Sequence, residues 1–352
     1  MTVREVPHPG PLPGGEGEEP YLVSALSRGE REKSRPSPRP SPEGRGGRAQ
    51  GAPVRTWARA LRVAFLPASL LPYTYGALLA QGPLRAGRFA LGLAAVAATA
   101  LSANAMNDYA DARAGADSQD PEYYAFFGGS KLIQQGRLCP GAYLCAALGL
   151  AVVAALAAAA LAWTLGRPGA LVLFAGALGL GWAYTAPPLR LGYRRLGEAT
   201  VFLVFGLMAV GAGAFAQTGA VPTLRVLALS APFACLIAAV LVANEVPDAA
   251  EDAAAGKHTL VTTLGARRGY LLFSGLAAGA FAAILGSVAA GWLRPVALVA
   301  FAGAPLGWRA ARILRWDWAE KRALVRSSRL ALGLHAIVSL ALIGEALCSA
   351  WW

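Results

Sequence analysis

The chain has 352 residues, of which 56% are hydrophobic and only 15% are charged, whereas about 25% of the residues in an average soluble domain are charged. Long uncharged stretches such as residues 148–165 carry Ala, Val and Leu on every helical face, so they have no polar side to present to water. This composition excludes a soluble helical domain and indicates an integral membrane protein. The net charge of +12 requires no nucleic acid, because a basic tail facing the membrane accounts for it.

Residues 1–55 differ from the rest of the chain in composition. They are rich in Pro, Gly, Ser, Glu and Arg and contain few large apolar residues, so they bury too little surface to offset the entropy of ordering. We therefore predict a disordered cytoplasmic tail over residues 1–55, followed by a transmembrane domain over residues 56–352.

Nine apolar runs follow the tail, each of roughly 17 to 23 residues, and each is long enough for a helix to cross a hydrocarbon core of about 30 Å. The eighth run is broken by Pro295 and Pro305. The pattern predicts an all-α integral membrane protein with about nine transmembrane helices. The runs are centred near Leu70, Ala98, Val152, Leu173, Phe205, Leu236, Gly279, Val299 and Val338.

The distribution of Lys and Arg between the loops predicts the orientation. With a cytoplasmic N-terminus, the cytoplasmic loops hold sixteen basic residues and the opposite loops hold five. Positive residues are enriched in cytoplasmic loops of membrane proteins. We therefore predict a multi-pass protein of the cell inner (plasma) membrane, embedded in the lipid bilayer, with its N-terminus in the cytoplasm.

Acidic residues cluster in two short segments, both at cytoplasmic ends of predicted helices. In the first segment, Asn104, Asn107, Asp108 and Asp111 recur at intervals of three and four, which places them on one face of a helix ending near Gly115. In the second, polar residues recur every four positions. The clustered acids are Asp108, Asp111, Asp117, Asp120 and Glu122, then Glu245, Asp248, Glu251 and Asp252.

Two acidic faces at the same depth would repel each other unless positive charge lay between them. Carboxylate and amide oxygens suit Mg²⁺, which binds one or two protein carboxylates and otherwise prefers water and phosphate oxygens. Mg²⁺ between carboxylates and a diphosphate would neutralise the charge that grows on the leaving group as an allylic C–O bond breaks. The segments therefore predict a Mg²⁺-dependent site for a diphosphate substrate.

Residues 107–117 read NDYADARAGAD, and residues 248–252, DAAED, are followed by AGKHTL at 255–260. These strings resemble the two aspartate-rich motifs of the UbiA superfamily of intramembrane aromatic prenyltransferases. Residues 128–136 and 187–198 are similar to the 1,4-dihydroxy-2-naphthoate polyprenyltransferase branch, and the likeness extends over about residues 57–345. Three positions depart from the family pattern: Glu245 replaces a common Asn, Pro247 a frequent Arg and His258 a further basic residue.

The resemblance implies helices around a central cavity, with both motifs at its cytoplasmic mouth. It implies transfer of a polyprenyl group from polyprenyl diphosphate to an aromatic acceptor, 1,4-dihydroxy-2-naphthoate in menaquinone biosynthesis. The implied catalytic residues are Asp108, Asp111, Asp248, Asp252, Lys131 and Lys257. The implied Mg²⁺ ligands are Asn107, Asp108, Asp111, Asp117, Asp248 and Asp252. The implied substrate-binding residues are Asn104, Asn107, Tyr109, Asn244, Arg190 and Arg194.

Two alternatives stay open on the sequence alone. One keeps the prenyltransferase and changes the acceptor to another aromatic compound or a tetrapyrrole. The other is a membrane transporter without catalysis, which would also explain polar residues at membrane depth. A transporter predicts inverted hydropathy repeats and charges near the bilayer centre, whereas the clustered acids lie at one face only.

Deleting residues 2–50 tests the predicted tail. Because a segment of this composition contributes nothing to a packed cavity, we expect prenyltransferase activity in membranes to stay within about twofold of the full-length chain. The measurement is activity per inserted protein, quantified by immunoblot. A truncated protein that inserts at normal levels but is inactive would contradict the prediction.

Overall fold

The computed structural model describes residues 54–80, 82–115, 120 and 122–350, so residues 1–53 of the predicted tail lie outside the described residues. The regular elements in the described ranges are all helices. The α-helices are α1 Val54–Ala60, α2 Pro67–Leu78, α3 Ala86–Ala114, α4 Pro140–Leu165, α5 Gly169–Ala183, α6 Gly197–Val201, α7 Ala209–Thr218, α8 Leu224–Leu229, α9 Ala231–Ala254, α10 Leu260–Leu264, α11 Gly269–Ala289, α12 Ala304–Trp316 and α13 Lys321–Ala350. A π-helical segment, Phe202–Met208, joins α6 to α7.

Seven helical segments of the described chain are long and apolar enough to cross a membrane. They are Ala86–Ala114, Pro140–Leu165, Gly197–Thr218, Leu224–Ala254, Ala266–Ala289, Pro295–Trp316 and Lys321–Cys348. Two shorter apolar segments, Val63–Leu78 and Gly169–Ala183, coincide with the first and fourth predicted runs. All nine predicted centres lie in helices, and the predicted all-α membrane fold is confirmed.

The first acidic segment lies at the C-terminal end of α3. This helix has 29 residues and is therefore about 43 Å long, longer than the hydrocarbon core of about 30 Å. The helix ends where Gly115 adopts a left-handed conformation with a φ of 77°, which an L-residue rarely takes. The predicted end near Gly115 is confirmed, and it leaves Asp108 and Asp111 close to one end of the bundle.

The second acidic segment ends α9 in the same way. The chain turns at Gly256, whose φ is 72°, and the Lys257 N–H donates to the Asp252 carbonyl oxygen at 2.8 Å. This turn brings the Lys257 side chain back over the last turn of the helix. Asp108 and Asp111 thus occupy the last two turns of α3, and the acids of the second segment occupy the last turns of α9, as the sequence predicts. Asp120 and Glu122 follow the end of α3.

The two prolines of the eighth run begin helical elements instead of interrupting one. Pro295 lies in the first turn of a 3₁₀ helix, Pro295–Gly303, and Pro305 lies in the first turn of α12. Proline is tolerated in a first turn because the N–H group it lacks has no partner within the helix there. The run therefore forms one continuous apolar segment of two helical types.

Close helix contacts surround the centre of the bundle. A methyl group at Gly76 of α2 would collide with the backbone of Val210 in α7, and one at Gly213 of α7 would collide with the backbone of Tyr73 in α2. Small residues allow such close packing of membrane helices, which lack a hydrophobic driving force for association. This contact holds α2 and α7 side by side.

Candidate active site

A large cavity extends from the ends of α3 and α9 into the bundle. Its deep walls are apolar, with Phe205 from the π-helical segment and Ile237 from α9 among them. Its mouth is highly polar. Among the described residues, the charged and amide side chains that line it are Arg62, Asn104, Asn107, Asp111, Asp120, Lys131, Asn244, Glu245, Asp248, Glu251, Asp252, Lys257 and Lys321.

Asp108 and Asp111, the two aspartates of the first segment that lie on α3, have different surroundings. Asp108 is 2% exposed and does not line the cavity; its carboxylate accepts hydrogen bonds from Arg62 and, at 3.1 Å, from the Ser130 N–H. Asp111 lines the cavity and accepts a hydrogen bond from the Tyr193 hydroxyl at 2.8 Å. Asp108 therefore holds the first segment against Arg62 and the Ser130 backbone, while Asp111 presents a carboxylate to the cavity.

Asn104 and Asn107 lie on the same face of α3 as Asp111 and line the cavity. The Asn107 side-chain oxygen accepts a hydrogen bond from Arg62 at 3.2 Å, and the Asn104 amide donates to the Leu61 carbonyl oxygen at 3.1 Å. The helical spacing predicted this shared face.

The second segment faces the first across the cavity. Asp248 accepts a hydrogen bond from the Gly128 N–H at 2.8 Å, and Asp252 forms an ion pair with Lys257 at 3.2 Å. Asn244 lines the cavity one turn deeper, and its side-chain oxygen has no hydrogen-bond partner in the described chain. The fold thus brings the two acidic segments, more than a hundred residues apart in sequence, to one cavity.

Lys257 connects the two segments electrostatically. Burial opposes its charged form, but the carboxylates of Asp252 and Asp111 outweigh this effect and hold the pKa of the Lys257 ammonium well above its ordinary value. Its Nζ lies 6.0 Å from the centre of the Tyr193 ring. Burial and the Asp111 carboxylate raise the pKa of the Tyr193 hydroxyl, which stays protonated as a donor. Asp111, Tyr193, Lys257 and Asp252 therefore form a continuous polar wall.

Lys131 reaches the cavity from a glycine-rich turn. Gly128 and Gly129 have φ values of 71° and 73°, and Lys131 itself has a φ of 57°. Left-handed backbone is costly for a residue with a side chain, so the surrounding structure must hold it in place. The Gly128 N–H bond to Asp248 is one such restraint. The turn thus carries a buried lysine to the mouth of the cavity.

Lys321, at the start of α13, joins this turn region to the second segment. Its ammonium contacts Asp120 at 2.6 Å and Glu251 at 2.7 Å, and lies 5.5 Å from the centre of the Tyr124 ring. Burial disfavours the charged form of Asp120, but hydrogen bonds from Lys321 and the Glu122 N–H lower its pKa. Two of the clustered acids are therefore partners of a lysine at the rim of the mouth.

Five predicted residues, Asp108, Tyr109, Arg190, Arg194 and Asp117, are not among the cavity-lining residues that the structure describes, and the role of Asp108 as a Mg²⁺ ligand stays a prediction. The Tyr109 hydroxyl accepts a hydrogen bond from Arg113 at 2.9 Å, Arg190 lies over the Tyr193 ring at 5.2 Å, and Arg194 donates to the Pro188 carbonyl oxygen at 3.2 Å. Contact of these three with a substrate stays a prediction. Asp117 lies outside the described residues.

The donor set fits a hard divalent cation. Asn107, Asp111, Asp248 and Asp252 offer carboxylate and amide oxygens from two sides of the cavity. The described chain contains no group of three or more Asp, Glu, His or Cys that could hold a metal by itself. Mg²⁺ needs no such group, since it takes one or two carboxylates and completes its shell with water and phosphate oxygens.

Comparison with known proteins decides the family. The UbiA prenyltransferase family model matches residues 69–333, which include both acidic segments. The chain belongs to the UbiA prenyltransferase family. It is 33% identical over 227 residues to the 1,4-dihydroxy-2-naphthoate octaprenyltransferase of Mycobacterium tuberculosis, covering 64% of this chain and 73% of that protein. The enzyme of the same name from Bacillus subtilis is 29% identical over 128 residues, 36% of this chain and 41% of that protein.

Solved structures show the same fold. A UbiA homologue from Archaeoglobus fulgidus bound to DMAPP and Mg²⁺ has a TM-score of 0.61 at 19% identity, covering 84% of this chain and 99% of that chain. The apo structure of a UbiA homologue from Aeropyrum pernix has a TM-score of 0.63 at 20% identity, covering 79% and 97%. This UbiA-family protein is therefore a multi-pass membrane protein and a prenyltransferase.

Sequence reasoning missed three residues that shape this UbiA-family cavity. Arg62 precedes the first apolar run and nothing in its spacing connects it to Asp108. Tyr193 was only part of a matching string, and Lys321 was counted only among the basic loop residues. Arg62 is 46 positions from Asp108, and Tyr193 is 82 positions from Asp111. Lys321 is 70 positions from Glu251 and 201 positions from Asp120. Only an unexplained surplus of acids at Asp120 and Glu251 could have indicated a missing cation.

Replacing Lys321 with Ala tests whether its two ion pairs position the residues at the mouth of the cavity. Loss of both ion pairs releases the segment that contains Asp120, and we expect the KM for the prenyl diphosphate to rise about five- to thirtyfold, equivalent to about 1 to 2 kcal/mol. Turnover at saturation should change less than threefold, and Lys321→Arg should restore most of the affinity. The measurement is initial rate against donor concentration in detergent micelles.

Arg322→Ala provides the matched control. Arg322 is the next residue, and its side chain is 83% exposed, with a 4.0 Å approach to Glu122. Its donor KM should equal that of the unaltered protein. Equal donor KM values for the Lys321→Ala and Arg322→Ala variants would show that Lys321 does not position the mouth.

Proposed function

We propose that the protein transfers a polyprenyl group from polyprenyl diphosphate to an aromatic acceptor, 1,4-dihydroxy-2-naphthoate, in a Mg²⁺-dependent step of menaquinone biosynthesis. The observation that carries the proposal is the convergence of Asp111, Asp248 and Asp252 with Lys131 and Lys257 on one cavity. Oxygen donors from two helices and two buried ammonium groups are the complement of a metal-bound diphosphate. The names of the two bacterial relatives support this acceptor and this pathway.

The polar residues of the cavity have separate roles in this proposal. Asn107 and Asp111 would hold one Mg²⁺, and Asp248 and Asp252 a second. Bound Mg²⁺ neutralises charge on the diphosphate as the allylic C–O bond breaks. Lys257 adds a fixed positive charge beside the diphosphate.

Lys131, on the glycine-rich turn, adds a second fixed charge to the cavity. The Gly128 N–H holds Asp248 in a single orientation. Both features are in place before substrate arrives, so little reorganisation accompanies the reaction.

A second, apolar cavity accommodates the prenyl chain in this proposal. It shares Ala103, Gly181 and Phe205 with the first cavity and continues inward to Tyr73 and Phe215. Its walls come from α2 to α5, the π-helical segment and α7. A dry, apolar passage suits an isoprenoid chain and keeps water away from an allylic cation, which aromatic rings also stabilise.

Orientation follows the basic loops. Arg190 and Arg194 lie in the connection between α5 and α6, and Arg267 and Arg268 lie at the start of the apolar segment Ala266–Ala289, all at the same end of the bundle as the mouth. This distribution supports a cytoplasmic mouth under the positive-inside rule. A diphosphate would then approach from the cytoplasm while its chain enters the bilayer-embedded part of the protein. We place the protein in the cell inner (plasma) membrane on this basis.

Asp111→Asn and Asp248→Asn test the metal site. Each keeps the size of the side chain and removes one negative charge, so insertion and folding should survive. We expect each to lower turnover at least about a hundredfold, the scale of losing one strong electrostatic contact in a transition state. EDTA should abolish activity of the unaltered protein and added Mg²⁺ should restore it.

The readout is diphosphate release coupled to formation of a prenylated ring, which a transporter would not give. Asp317→Asn is the control, since Asp317 is exposed at the end of α12 and outside the cavity. Product formation at the unaltered rate by both Asn variants would refute the proposed metal site.

Gly181→Leu tests the passage between the cavities. A Cβ atom at Gly181 would already lie 3.0 Å from the Ala103 Cβ, so a larger side chain closes the neck. We expect activity with octaprenyl diphosphate to fall at least about tenfold relative to dimethylallyl diphosphate, whose tail ends before the neck. Gly179→Leu, on the same helix with open space at its Cβ, is the control and should leave the ratio unchanged. An unchanged ratio for Gly181→Leu would rule out this route for the chain.

A further inference from the structure

Glu245 is a buried carboxyl group that the proposed diphosphate site does not use. It lines the cavity and is 4% exposed, and neither of its carboxylate oxygens has a hydrogen-bond partner among the described residues. A buried carboxylate without a donor is strongly unfavourable, and buried polar groups in folded proteins are almost always satisfied. A donor for these oxygens must therefore come from a molecule in the cavity.

Glu198 stands behind Glu245. One Glu198 oxygen accepts the Leu260 N–H at 2.8 Å, and the other has no hydrogen-bond partner in the described chain. Lys257 and Tyr184 lie near both carboxyl groups, and neither supplies a hydrogen bond to the Glu245 oxygens. Both Glu245 oxygens therefore keep the capacity to accept a hydrogen bond from a molecule in the cavity.

Glu245 lies at the depth in the cavity at which the acceptor ring must meet the allylic carbon of the prenyl donor. Glu245 precedes Asp248 by three residues on α9, so it lies about 4.5 Å deeper along the helix axis. In the proposed function the diphosphate lies at Asp248 and the prenyl chain continues inward past Gly181. The reactive allylic carbon is between these points, and an acceptor ring that attacks it carries its substituents close to Glu245.

Resting on the proposed function, we propose that Glu245 accepts a hydrogen bond from a hydroxyl group of the aromatic acceptor. The ligand class is a phenol or naphthol. A carboxylate oxygen accepts hydrogen bonds and donates none, so this position selects for a hydroxyl and against a ring hydrogen or an ether. The same bond fixes the face and the carbon that the ring presents to the allylic centre, because the ring is held at a second point besides its contact with the prenyl group.

A substrate-and-variant comparison tests this subsite. The acceptors are 1,4-dihydroxy-2-naphthoate and its two analogues with hydrogen in place of one hydroxyl. We expect the unaltered protein to prefer the full acceptor over one analogue at least about tenfold in kcat/KM, because loss of the hydroxyl leaves the Glu245 carboxyl group without its donor. Glu245→Leu should abolish that preference, and Glu245→Gln, whose amide oxygen still accepts, should retain part of it. Acceptor affinity, measured by isothermal titration calorimetry with donor absent, should follow the same order.

Binding of the prenyl diphosphate distinguishes a role of Glu245 at the aromatic acceptor from a role at the metal or the diphosphate. Stabilisation of the protein by Mg²⁺ and geranyl diphosphate in a thermal-shift assay should be equal in the unaltered protein and the Glu245→Leu and Glu245→Gln variants. Glu345→Gln is the matched control, a buried glutamate on α13 outside the cavity, and should keep the unaltered acceptor preference.

Two results would overturn the proposal. One is a Leu variant, or a Gln variant if the Leu protein does not fold, whose acceptor preference and acceptor affinity are both unchanged. The other is loss of donor binding, which would assign Glu245 to the metal or diphosphate instead. Failure of the proposed function would look different, since the unaltered protein would then form no prenylated ring, while calorimetry would still report whether a hydroxylated ring binds at Glu245.

Discussion

The need to neutralise carboxylates inside an apolar bundle governs the architecture of this protein. An ionised carboxylate in a medium of low polarity is stable only with a counter-charge or several donors. The fold supplies Arg62 to Asp108, Lys257 to Asp252 and Lys321 to Asp120 and Glu251. Each of these cations comes from a chain segment remote from, or turned back upon, the acid it serves, so the charge pairs also tie the helices together.

The carboxylates are not all neutralised to the same extent, and this difference decides which of them can bind a cation. Asp108 accepts hydrogen bonds from Arg62 and the Ser130 N–H, whereas Asp111 faces the cavity and accepts one hydrogen bond from the described residues, donated by the Tyr193 hydroxyl. Residues three positions apart on one helix thus have different surroundings. The engaged acid fixes the position of α3 against the glycine-rich turn, and the cavity-facing acid keeps capacity to bind a cation. A site for a metal-bound diphosphate requires a carboxylate of this kind, which faces the cavity and can still bind a cation.

The interior of the bundle is specialised for an apolar chain instead. Close packing at Gly76 and Gly213 brings α2 and α7 together, and small residues such as Ala103 and Gly181 leave space where larger ones would fill the bundle. The result is a polar mouth that leads into an apolar passage. An amphipathic substrate with a charged head and an isoprenoid tail matches this division, because each part meets an environment of its own polarity.

The sequence by itself determined the membrane fold and the location of both acidic segments. Runs of apolar residues must form helices in lipid, since no water is present to satisfy the backbone, and the spacing of Asn104, Asn107 and Asp111 fixes one helical face whatever the surroundings. Gly115 and the prolines mark helix ends by local stereochemistry. These features depend on neighbouring residues only, which is why they could be read along the chain.

Only the tertiary structure decided which side chains meet. The bonds from Arg62 to Asp108, Tyr193 to Asp111 and Lys321 to Glu251 join residues at least 46 positions apart, and no local rule specifies such pairs. Tyr109, Arg190 and Arg194 are not among the described residues that line the cavity, although their sequence context matched the family pattern. The fold also left Glu245 facing the cavity without a partner in the described chain. Packing of distant helices sets these contacts, because the direction of a side chain in space depends on where each helix lies and not only on its own sequence.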